Sequence, residues 1–171
     1  DIPLPETGQD ALSVIEELVR DASDGVHGHT SPRFFGYVCG GSMPVGAAAG
    51  LVVTAWGQNA VSSWESPSVA LIEQTLCRWC LELPGLPESS GVGVVTGATV
   101  ANTQAIMAAR DALLLRQGWN VGECGLFGAP EIPVAIGADA HSAPLAGLRD
   151  AGFGVDRAIR LEPDDQGRSR L

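Results

Sequence analysis

Val92-Gly-Val-Val-Thr-Gly-Ala-Thr-Val-Ala-Asn102 is the stretch on which the fold turns. Its first half, Val92 to Thr96, is short and β-branched, the pattern of a strand. Gly97-Ala-Thr99 then breaks the rhythm, and an alanine-rich helix is expected from there to about Gln117. A strand that empties through a small-residue turn into a long helix is the opening of a βαβ unit. The chain continues in kind: Ile132-Pro-Val-Ala-Ile136 reads as a second strand, Ser142 to Ala151 as a helix, and Arg157-Ala-Ile-Arg-Leu161 as a third strand. Strands alternating with helices imply a parallel sheet with right-handed crossovers. The fold class is α/β.

Upstream of this unit the pattern is helical. Residues 10–23 carry Leu12, Ile15, Leu18 and Val19 on one stripe with acids opposite. The chain from Gly25 to Gly41 is broken by Gly28, Pro32, Gly36 and Gly40 and reads as irregular. Ser42 followed by Pro44 marks a helix start, with Val45 to Gln58 as a small-residue helix suited to close packing. Ser66-Pro67 opens the next one as N-cap and first residue, and Leu83-Pro-Gly-Leu-Pro87 ends it. The expected organisation is a helical lead-in over 1–60 and the first part of an α/β domain over 61–171. The helix at 99–116 carries few charges, mainly Arg110, Asp111 and Arg116, so it expects cover on most sides. Three strands make a narrow parallel sheet, and such sheets are normally covered on both faces. The expectation is a portion of a larger fold.

Composition narrows the function. Among 171 residues, 20 acids oppose 10 bases, a net charge of −10. No cationic surplus exists to release counterions from nucleic acid or to dock on an anionic membrane. All ten bases are arginine. A Schiff-base enzyme, a Walker-type phosphate loop and a lysine general base each need an amine that these residues lack. The start, Asp1-Ile-Pro-Leu-Pro5, has neither the basic nor the apolar region of a signal peptide and lacks an initiator methionine, which points to residues upstream and to the cytoplasm as the default location. The apolar run Pro44 to Trp56 is too short to span roughly 30 Å of hydrocarbon.

Two turns stand out as candidate sites. At Gly97-Ala98-Thr99 small residues let the backbone approach an anion, helix-start N–H groups are unpaired, and the helix dipole favours negative charge. A phosphate or carboxylate cradle is one reading; a helix capped by Thr96 or Thr99 is the other. His141 follows the second strand, and ligands gather at the carboxyl ends of parallel strands. It is a ligand-side residue or the cap of the following helix. Cys77-Arg-Trp-Cys80 has redox spacing but lies well inside a helix, away from the dipole that would lower a thiol pKa, so packed structural cysteines are expected. His27-Gly-His29 lacks the further ligands of a metal site and reads as a loop turn. Gly-x-Ser-x-Gly is absent.

Read in order, Ser31-Pro-Arg-Phe-Phe-Gly-Tyr37, Gln58-Asn59, Ser66-Pro67 with Glu73, Trp79, Leu83-Pro-Gly-Leu-Pro87, Val95-Thr-Gly-Ala-Thr-Val-Ala-Asn102 with Ala108-Ala-Arg110, and His141-Ser142 resemble the pyridoxal-phosphate-dependent group II amino-acid decarboxylases, relatives of the aromatic-amino-acid and glutamate decarboxylases. The resemblance covers nearly the whole chain. It implies a fold-type-I large domain, a homodimer and pyridoxal 5′-phosphate as cofactor. It places the cofactor phosphate at Gly97, Ala98 and Thr99, and the ring-stacking catalytic histidine at His141. It makes Tyr37 and Phe35 substrate-side residues, often facing the neighbouring subunit's pocket. Val38 and Cys39 follow Tyr37 where many members have aromatic residues or proline, so an aromatic substrate does not carry over.

The family's Schiff-base lysine and the aspartate that pairs with the pyridine nitrogen lie well beyond the stacking histidine. The present sequence ends 30 residues after His141, and Asp139 comes too early to be that aspartate. The expectation is the N-terminal half of an L-amino-acid decarboxylase, completed by a lysine-bearing half as a second or cleaved chain, in a dimeric assembly. Two other readings stay open: another fold-type-I enzyme, such as an aminotransferase or aldehyde lyase, and a non-catalytic fragment.

Overall fold

The structure is a computed structural model that describes residues 4–170. It divides into two units, Asp1–Ser66 and Pro67–Leu171.

In the first unit, helix α1 spans Ala11–Ala22. Asp10 caps it, accepting from the Ser13 backbone N–H at 3.0 Å and the Ser13 hydroxyl at 3.2 Å. Arg20 in its last turn complements the helix dipole. A 3₁₀ turn at Ser23–Gly25 leads into the irregular loop. Helix α2 spans Pro44–Trp56 and begins at the proline, with Met43 rather than Ser42 at the N-cap and no side-chain cap bond. Gly57 ends it in the left-handed region, at φ 56°. Neither helix buries a residue: Leu12, Ile15, Leu18, Val19, Leu51 and Val53 are all exposed.

Ser66 is buried, at 1% exposure. The sequence casts it as a helix cap, but its hydroxyl donates to the Asn59 carbonyl at 2.6 Å. A buried hydroxyl must find a partner, and the preceding loop offers one.

The second unit opens with α3, Pro67–Glu82, whose cysteines sit in its later turns. Cys77 is half-buried near the Val92 carbonyl, whereas Cys80 is exposed rather than packed, and all four cysteines are free. Helix α4 spans Ala98–Arg116, the short α5 Val121–Cys124, strand β1 Ala135–Gly137, helix α6 Ser142–Asp150 and strand β2 Ile159–Leu161, with a 3₁₀ turn at Val155–Arg157 before β2. β1 and β2 pair in parallel, Ala135 with Ile159, Ile136 with Arg160 and Gly137 with Leu161, and α6 is the crossover between them. Flanking bonds from Ile159 N–H to Val134 O and from Ala138 N–H to Leu161 O extend the ladder at both ends.

The expected first strand needs correction. Val92–Thr96 joins no ladder among the described residues. β-Branched side chains suit a pleated surface, but a strand also needs a neighbour with open N–H and C=O groups, and none of the described residues runs beside it. Helix α4 buries only Arg110 and Leu114, so the cover its sequence expects is not supplied by the described residues. Its apolar residues Val100, Met107 and Leu113 remain exposed.

The buried apolar core is accordingly small: Leu114, Leu148 and Ala151, where α4 meets α6. Gly147 makes this contact close. A Cβ built there would lie 3.2 Å from the Thr103 nitrogen and 3.3 Å from the Asn102 carbonyl carbon, inside ordinary contact distance.

Candidate functional site

The Gly97 turn delivers Val92–Thr96 into α4. Gly97 is the N-cap, in an extended conformation (φ 175°, ψ 165°) that makes no special demand for glycine. No side chain caps the helix, so the reading in which Thr96 or Thr99 serves as its cap is not realised. The ladder begins with Ala101 N–H to Gly97 O at 3.0 Å. The N–H groups of Ala98, Thr99 and Val100 therefore have no intrahelical acceptor. Gly97, Ala98 and Thr99 are exposed, and a Cβ built on Gly97 meets nothing within 4 Å. Three convergent donors, a nearby Thr99 hydroxyl and open space form a donor set that suits a phosphate group.

One turn further on, two side chains bond back into this first turn. The Asn102 amide donates to Ala98 O at 2.8 Å and the Thr103 hydroxyl to Thr99 O at 3.0 Å. Asn102 closes the stretch read from the sequence as the candidate turn, with no role given to it, and Thr103 lies just beyond that stretch. The usable signal is polar, hydrogen-bonding side chains in the helix turn that follows a small-residue entry.

His141 stands past the carboxyl end of β1 and is the N-cap of α6. Its Nδ1 accepts from the Ala143 N–H at 3.1 Å. That bond leaves the proton of a neutral ring on Nε2. The capping reading is thus realised, and His141 remains exposed. Both turns belong to the second unit, and the α4–α6 contact connects the helices that follow them.

Phe35 and Tyr37 lie in the first unit and are 91% and 83% exposed. A run of rings passes from His27 to His29, Phe34 and Tyr37, with successive centroids 5.6, 4.6 and 6.4 Å apart. Tyr37 and Val38 both adopt positive φ, 58° and 54°. For a β-branched residue such as Val38 this is a strained backbone. Among the described residues no group of three or more His, Cys, Asp or Glu could hold a metal ion.

A cavity of about 550 Å³ lies elsewhere, by the entry ends of β1 and β2, between Arg110, Leu126, Ile132, Phe153 and Ala158. None of the candidate site residues lines it. Two carboxyls are held below the ordinary carboxylate range, Asp164 chiefly by the Arg168 backbone N–H and Asp10 chiefly by that of Ser13. Both are turn or cap residues remote in sequence from the two candidate turns.

Comparison with known proteins defines the class first. The solved glutamate decarboxylase domain of a diaminobutyrate-pyruvate transaminase and L-2,4-diaminobutyrate decarboxylase from Vibrio parahaemolyticus has the same fold, with a TM-score of 0.89 at 18% identity over 98% of this chain and 37% of that one. Mouse CSAD in apo form gives 0.83 at 21% identity, over 99% of this chain and 34% of that one. Oryza sativa TDC, solved with PLP and tryptamine, gives 0.77 at 22%, over 95% and 36%. The fold is that of the N-terminal portion of pyridoxal-phosphate-dependent decarboxylases.

The family follows from the sequence. Residues 1–121 match the pyridoxal-dependent decarboxylase conserved domain, and the chain belongs to that family, whose cofactor is pyridoxal phosphate. It is 24% identical to an acidic amino acid decarboxylase of Mus musculus over 98% of its length, and 28% identical to an L-2,4-diaminobutyrate decarboxylase of Rhizobium meliloti (strain 1021) over 97%. It spans 30% and 31% of the length of those two relatives.

Proposed function

We propose that these residues supply the phosphate cradle and ring support of an amino-acid decarboxylase that releases CO₂ and an amine. The observation that carries this reading is the uncapped first turn of α4, with three N–H groups free of intrahelical acceptors and open space before it, in a chain of the pyridoxal-dependent family.

In this reading the N–H groups of Ala98, Thr99 and Val100 hold the cofactor phosphate, aided by the Thr99 hydroxyl and the positive end of the helix dipole. His141 offers a ring face to the pyridine. Its Nδ1 bond to Ala143 fixes the ring's orientation, so the stacking surface is pre-organised rather than selected on binding. Phe35 and Tyr37 form a wall of the substrate pocket, and their exposure leaves room for a neighbouring subunit to share it. The bound cofactor supplies the electron sink for the charge left on Cα when CO₂ departs. Its lysine anchor belongs to the remainder of the subunit, since the present residues contain none.

The exposed apolar faces of α1, α2 and α4 support a complete subunit, and a dimer of such subunits, as their cover. No helix of the described residues is long and apolar enough to cross a membrane, and the cytoplasm fits the reading. Relatives named for acidic, aromatic and diamino substrates match at 24%, 26% and 28% identity. The substrate is therefore proposed only as an L-amino acid.

Product analysis tests the reaction. The intact subunit, supplied with pyridoxal phosphate and a panel of L-amino acids, should release CO₂ and the matching amine in equal amounts. A keto acid or an aldehyde as the product would overturn decarboxylation in favour of transamination or aldol-type cleavage.

A further inference from the structure

We infer that Gly147 is a positioning residue that sets the spacing between His141 and the Gly97–Thr99 turn, an inference that rests on the cofactor reading above. Gly147 lies inside α6, where alanine is the better helix former. Its reason for being there is the neighbouring helix. A Cβ at 147 would stand 2.9 Å from the Ile106 Cδ1 methyl, 3.2 Å from the Thr103 nitrogen and 3.3 Å from the Asn102 carbonyl carbon. The methyl can swing aside, but a helix backbone cannot. Glycine thus lets α6 rest directly on the backbone of α4 at Asn102 and Thr103.

Those same two residues bond back to the first turn of α4. Asn102 bonds the carbonyl of Ala98, and Thr103 that of Thr99. At the other end, Gly147 stands six positions past His141, the N-cap of the same helix, about 9 Å along its axis. The capping bond of Nδ1 to Ala143 holds the His141 ring to that helix. The path from cradle to ring therefore runs through two rigid helices and one close crossing, with no loop in it. A ligand held at both ends gains from the second contact only when the span between them is right.

The test uses the intact subunit in its apo form and three probes: inorganic phosphate, pyridoxine and pyridoxine 5′-phosphate. These engage the cradle alone, the ring support alone and both together. None has an aldehyde, so no imine with lysine enters the readout. Gly147→Ala should leave phosphate and pyridoxine dissociation constants within about twofold of the parent and weaken pyridoxine 5′-phosphate about tenfold, the scale expected for a small misplacement of a two-ended ligand. If the single variant fails to fold, Gly147→Ala with Ile106→Ala removes the tightest contact but keeps both backbone contacts, and the same selective loss is expected. Unchanged pyridoxine 5′-phosphate binding, or a parallel loss for all three probes, would overturn the positioning role. The cofactor reading fails separately: an Ala98→Asp variant that still bound phosphate and pyridoxine 5′-phosphate normally would remove the cradle, whatever Gly147 does.

Discussion

The Arg110 guanidinium on α4 donates through Nη1 to the Ala151 carbonyl just past the end of α6, at 2.5 Å, in a part of the second unit where Ala151 is fully buried. Its Nε also pairs with Asp111 at 2.7 Å, so a 93% buried cation is neutralised by its sequence neighbour and satisfied by a helix end. Arg110→Ala strands that carbonyl and empties the volume around Leu114. The expected loss is about 1–3 kcal/mol for the unsatisfied group, before any packing term. Urea unfolding of the intact subunit measures it, and Arg110→Lys, which cannot reproduce the planar fork, should recover only part.

His141 has two separable roles. Asparagine retains a capping oxygen but has no ring, whereas alanine has neither. His141→Asn and His141→Ala should both weaken pyridoxine 5′-phosphate binding, while only the alanine variant lowers the thermal midpoint. Equal destabilisation by both would mean that the imidazole contributes more to α6 than the single bond to Ala143.

The stability of α1 should depend on pH in one direction. Asp10 is held below the ordinary carboxylate value, first by the Ser13 backbone N–H and then by the Ser13 hydroxyl. A carboxyl whose folded pKa is depressed stabilises the fold above its unfolded pKa and loses that contribution as pH falls through the folded value. The cap is thus fully present above about pH 4 and lost in stronger acid. In an NMR titration, Ser13→Ala should raise the Asp10 midpoint only part of the way to the ordinary value, because the backbone donor survives. A full return would assign the effect to the hydroxyl.

Ser66→Ala should destabilise the first unit by about 1–2 kcal/mol, since it leaves the Asn59 carbonyl without its partner. Hydrogen exchange across residues 59–66 should quicken in that variant.

Much of this was legible in the sequence. The stripe of Leu12, Ile15, Leu18 and Val19 forecast α1, and Pro44 and Pro67 marked helix starts within a residue of where they occur. Local rules suffice there because caps and prolines act on their own turn. Val92–Thr96 shows the opposite limit: its side chains suit a strand, but pairing depends on a neighbour that local sequence does not contain. The cover of α4 depends likewise on surfaces that the described residues do not supply, since an apolar surface needs a covering surface. Gly147 escaped notice because a helical glycine looks like a weak helix former until the backbone of α4 is seen against it. At His141 both the capping and the ligand readings could be written down from sequence; the Nδ1 bond to Ala143 establishes the first, and the second is the proposal made above.

The first turn of α4 is the proposed seat of the cofactor phosphate. A crystal structure of the intact subunit with pyridoxal phosphate tests it most directly. Phosphate oxygens are expected within about 3 Å of the N–H groups of Ala98, Thr99 and Val100, with the pyridine ring against His141. A cofactor bound elsewhere, with that turn empty, would contradict it.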